Sequence, residues 1–158
     1  MTQECKKEFT LRIAQANPTG LVVILYEMAL CYLQEGKEAR SLGDGAAFRE
    51  ANRKTRGCLN ELLSSLHLEY EVAANLCRLY RYCLQRLAYS EALGDKAALE
   101  EVERILRRLQ EAYAQVAAQD KSAPVMRNTQ AVYAGLTYGK NTLTENMADQ
   151  GANRGIRI

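Results

Sequence analysis

Residues 95–118 read DKAALEEVERILRRLQEAYAQVAA, and this stretch decides the fold. Leu99, Val102, Leu106, Leu109, Tyr113 and Val116 recur by three and four residues, the spacing of one helix face, with charged groups on the rest of the circumference. Asp95 is suited to cap the start of that helix, and Gly94 before it to close the preceding one. Working outward, residues 70–93 carry Val72, Leu76, Leu79, Tyr80, Cys83 and Leu87 on one side, and residues 45–66 carry Phe48, Thr55, Leu59, Leu62 and Leu66. Pro18 belongs in the first turn of a helix, where its missing N–H costs nothing, and that helix runs over 18–42 to Gly43-Asp44-Gly45. Residues 3–16 form a shorter amphipathic lead-in with Phe9, Ile13 and Ala16 on one stripe. The expected architecture is all-α: an antiparallel four-helix bundle over 1–120 with a short N-terminal helix.

From residue 121 the composition changes. Residues 121–158 hold four glycines and many Asn, Thr and Gln, and form a C-terminal tail extension. Val132, Leu136, Leu143 and Met147 still fall at helical spacing there, so the tail is expected to be mobile until it docks, with the bundle itself as a possible surface.

Charge and composition exclude several functions. A formal net charge of +2 on 158 residues supplies no field for nucleic acid or anionic membrane. The apolar run from Leu21 to Leu33 is shorter than the roughly 20 residues that cross a bilayer, and no signal-peptide pattern precedes or follows it, so no membrane insertion is expected and the chain is expected to be cytoplasmic. Five cysteines without a CxxC pair read as reduced packing residues. A dinuclear carboxylate site needs a Glu-x-x-His pair on each of two helices, whereas His67 is the only histidine. His67 lies at a helix end, which disfavours a phosphotransfer role, and no nucleophile has another imidazole for a base. No enzyme, cofactor or metal is indicated.

The helix over 18–42 has more apolar surface than one seam requires. On a wheel of about 100° per residue, Leu21, Leu25, Met28 and Tyr32 suffice for the bundle, while Val22, Tyr26, Ala29 and Leu33 make a second face beside them. Either this helix is central and buried on both sides, or the second face is a groove for a partner helix. Exposing such a face forfeits about 1.5 to 3 kcal/mol per large side chain, so some segment has to cover it.

Ala16-Asn17-Pro18 followed by Leu21 and Leu25-Tyr26, then Leu66-x-x-Glu69, Ala73-x-Asn75-Leu76-x-x-Leu79-Tyr80-x-Tyr82 and Arg86-Leu87 together resemble the FliS family of flagellin-specific export chaperones. The resemblance covers about residues 10–118. It implies an elongated antiparallel bundle that binds the disordered C-terminal segment of flagellin, blocks its premature polymerisation and delivers it to the flagellar type III export gate. Carried over by position, it directs attention to Leu25, Tyr26, Asn75, Leu79, Tyr80, Tyr82 and Arg86, beside Val22, Ala29 and Leu33 from the surplus face. The competing reading is a structural bundle that oligomerises without a client. One departure concerns the connection after Glu69, where the family's glycine-containing turn is replaced by Tyr70-Glu71.

Overall fold

A computed structural model describes residues 3–67 and 69–126. Val132, Leu136, Leu143 and Met147 lie outside the described residues. Among the described residues there are five helices and no strand: α1 (Gln3–Gln15), α2 (Pro18–Ser41), α3 (Gly45–Ser64), α4 (Glu71–Leu93) and α5 (Lys96–Gln119). None of these helices is long and apolar enough to cross a membrane.

Local chemistry sets the helix ends. The Asn17 side chain accepts a hydrogen bond from the Gly20 N–H at 2.7 Å, with Pro18 in the first turn of α2. Asp44 does the same for the Ala47 N–H at 2.9 Å, and Asp95 for the Ala97 N–H at 2.9 Å. Each cap satisfies a donor that the helix leaves open. At the end of α4, Gly94 takes φ 73°, a left-handed conformation that costs glycine no Cβ clash.

Helices α2, α3, α4 and α5 pack as a closed antiparallel ring, each against its two neighbours, and α1 lies outside against α2. The core is built from Leu33 on α2, Leu59 and Leu62 on α3, Cys83 and Leu87 on α4, and Val102 and Leu106 on α5. Across the ring's diagonal, the hydroxyls of Tyr26 and Tyr80 share a hydrogen bond. Asn52 is buried on α3 and donates to the Leu87 carbonyl at 3.1 Å and to Glu91 at 2.7 Å, tying α3 to α4. Lys37 on α2 and Glu103 on α5 pair at 2.7 Å, and Arg107 one turn further joins the same carboxylate. Those partners, Lys37 foremost, hold the Glu103 carboxyl below its usual range.

The segment after α5 turns back over the joint between α1 and α2. Thr19 donates its hydroxyl to the Asp120 carboxylate at 2.5 Å, the Asn17 side-chain amide donates to the Asp120 carbonyl at 3.0 Å, and the Val125 N–H reaches the Ala16 carbonyl at 3.0 Å. The Thr19 hydroxyl is the main reason the Asp120 carboxyl titrates below its usual range.

Gly57 sits mid-helix on the exposed side of α3, and a Cβ built there meets nothing within 4 Å. Gly57→Ala is therefore expected to stabilise the protein by about 0.5 to 1 kcal/mol, through the helix propensity that glycine forfeits. A urea unfolding midpoint that fails to rise would contradict this.

Candidate client-binding cleft

The stripe on α2 that the sequence pattern offers as a groove is the one the fold buries. Tyr26 and Ala29 are fully covered and Leu33 nearly so, while Leu21, Leu25, Met28 and Tyr32, the side assigned to the seam, are only half-buried. Val22, the remaining member of the first stripe, is half-buried. The physical reason is the ring: α3, α4 and α5 close over the Tyr26–Leu33 side, whereas Leu25, Met28 and Tyr32 on the adjacent stripe pack only at the margin of that core. Tyr80 is buried as well.

A cleft of about 400 Å³ opens instead at the pole of the bundle where α2 begins, α3 ends, α4 begins and α5 ends. Tyr80 and Tyr113 line it from within, Val22 and Leu66 form its sides, and Tyr70 and Val72 stand at its rim. Tyr26 lies next to both inner tyrosines, with ring centroids 6.3 Å from Tyr80 and 5.6 Å from Tyr113, so three helices contribute to one aromatic cluster. Burial pushes the Tyr80 hydroxyl up to about 12, and raises Tyr26 and Tyr113 too, so all three are neutral donors and acceptors at physiological pH. His67 also borders the cleft, exposed in the α3–α4 connection.

The rim holds the apolar surface that the helical pattern places inside. Val72 continues the inward stripe of α4 by spacing, yet it is 67% exposed; Val116 continues that of α5 and is 55% exposed. Both positions fall at the ends of α4 and α5 that belong to this pole, where the stripes outrun the neighbouring helices. Tyr70, at 65% exposure, is the N-cap residue of α4 and makes no side-chain capping bond, which leaves its ring free for the cleft. The Tyr70-Glu71 departure noted in the sequence is thus a piece of this rim. Tyr70, Val72, Leu66 and Tyr113 escape a search confined to the surplus face of α2.

The other candidates are dispersed. Val22 lines the cleft, and Leu25 and Leu79 are half-buried. Asn75 is exposed and accepts from Arg78 at 2.9 Å. Tyr82 and Arg86 lie on the α4–α5 side, each donating to Glu101 at 2.7 Å. Those two bonds, that of Tyr82 first, hold the Glu101 carboxyl low, and the same carboxylate raises the Tyr82 hydroxyl. This side is a polar clasp between helices rather than an apolar groove.

An aromatic-lined apolar cleft at an open pole can take up apolar side chains of a peptide or helix. Comparison with known proteins identifies the family. Residues 1–120 match the family model described as flagellar protein FliS. The chain is also 33% identical over 107 residues to the flagellar secretion chaperone FliS of Salmonella typhimurium, an alignment covering 66% of this chain and 79% of that relative. With the family model matched across the whole described bundle, and with the helix order and ring packing found here, the chain belongs to the FliS family.

Proposed function

We propose that the chain is a cytoplasmic, non-enzymatic export chaperone whose client is the disordered C-terminal segment of a flagellin. The apolar cleft at the pole is where client side chains first lodge, with Tyr70 and Val72 as the rim and Tyr80 and Tyr113 within. Binding keeps the client from polymerising and presents it to the flagellar type III export gate. The observation that carries this reading is the cleft itself: large apolar side chains stand exposed around a preformed aromatic pocket, in a chain similar to a flagellar secretion chaperone. A partly disordered client loses conformational freedom on binding, which costs several kcal/mol, so contacts beyond the cleft are required. Val22, Leu25, Leu79, Asn75 and Tyr82 are accessible enough to extend the contact surface, whereas Tyr26, Ala29 and Leu33 support it from inside.

Titration of the full chain with a flagellin C-terminal peptide tests the reading. The expected result is saturable one-to-one binding to a monomer, with a gain of helical signal in the peptide. Absence of binding, together with a stable dimer in the free protein, would favour the structural bundle without a client.

A further inference from the structure

Among the helices, α1 packs against α2 alone, and Ala14 is its one buried residue, so its attachment depends on few contacts. Arg12 on α1 pairs with Glu27 on α2 at 2.5 Å near the joint. Further from the joint, Cys5 on α1 neighbours Cys31 on α2, whose thiol is raised by burial first and by Cys5 second. Cys5 is seven residues from Arg12 and Cys31 four from Glu27, about two turns and one turn, so each cysteine shares its helix face with the ion-pair residue. Both cysteines are half-buried, and neither is in a disulfide.

We propose that Cys5 and Cys31 are a modification site: exposure to a hydroperoxide joins them in a reversible disulfide that staples α1 to α2. One thiolate attacks the peroxide oxygen, breaking the O–O bond and giving a sulfenic acid and one water. The second thiolate then attacks that sulfur, forming the S–S bond and expelling hydroxide, which leaves as a second water. Two thiols and one hydrogen peroxide thus become one disulfide and two waters. Burial raises the Cys31 thiol above its usual range, and because thiolates are the reacting forms, oxidation is expected to accelerate as pH rises. The core cysteines are set apart from this chemistry: burial pushes Cys58 up to about 11 and Cys83 to about 12, and both are sealed from solvent.

Treatment of the full chain with hydrogen peroxide, followed by alkylation under denaturing conditions and peptide mapping, tests the site. Of the five thiols, three are expected to remain, with one intrachain cross-link joining the Cys5 and Cys31 peptides and dithiothreitol restoring all five. At the same peroxide dose, Cys5→Ser and Cys31→Ser are expected to form no intrachain disulfide. Trypsin cleavage after Lys6 is expected to leave the peptide of residues 1–6 attached through Cys5 in the oxidised wild type and to release it in both variants. Retention of all five thiols overturns the proposal, as does a cross-link through Cys58, Cys77, Cys83 or a second chain, or a Cys5→Ser variant that still forms an intrachain disulfide.

Discussion

Tyr26→Asp and Leu33→Asp are each expected to unfold the bundle, so that any loss of client binding follows from loss of the fold. Tyr26 is fully covered, with its hydroxyl bonded to Tyr80 and its ring against Tyr113, and Leu33 is 3% exposed in the same core. A carboxylate placed there leaves water without a cation to meet it, and it either remains charged at a cost of several kcal/mol or takes up a proton. Its folded-state pKa is then raised above the unfolded value. The acid form is the tolerated one, so stability is greatest at low pH and is lost as pH rises through the raised pKa. With a total stability of about 5 to 15 kcal/mol for a domain of this size, that loss plus the removed packing is enough to abolish folding at neutral pH. Circular dichroism at pH 7 is expected to show little helix. A cooperative transition within about 1 kcal/mol of wild type would contradict the burial argument. Tyr26→Phe separates the two contributions of the side chain: it keeps the ring and loses only the hydroxyl bond, for an expected cost of about 1 kcal/mol.

Tyr70→Asp and Val72→Asp are expected to do the reverse, weakening flagellin peptide binding at least tenfold, about 1.4 kcal/mol, in a bundle that stays folded. Tyr70 is the N-cap of α4, and its backbone carbonyl accepts from the Ala73 and Ala74 N–H groups whatever its side chain is. Aspartate is a better N-cap than tyrosine and favours the positive end of the helix dipole, so Tyr70→Asp should match or exceed wild-type stability. Val72 is 67% exposed, so its replacement removes little core packing. What both variants share is a charge at the rim of the cleft, which an apolar client side chain has to desolvate. Calorimetric titration of each folded variant supplies the check. Unchanged affinity in both would place the client contact on another surface.

The helix content and the order of the helices were legible because their causes are local. Asn17-Pro18, Asp44, Asp95 and Gly94 each act within one turn of themselves, and Leu99, Val102 and Leu106 follow one face without needing a partner to define it. Fold class follows from counting such faces. What the sequence could not decide is which of two adjacent apolar stripes on α2 points inward. Val22–Tyr26–Ala29–Leu33 and Leu21–Leu25–Met28–Tyr32 have nearly the same hydrophobic content, and the choice depends on how α3 and α5 approach, a long-range packing result rather than a property of either stripe. The cleft was equally hidden. Val72 and Val116 keep the spacing of buried residues and become exposed because the ring of helices ends before their stripes do. Tyr113 and Tyr80, 33 residues apart in the chain, become walls of one pocket for the same reason: helical periodicity specifies the direction of a side chain about its own axis, and only the assembled bundle specifies where the neighbouring helices stop.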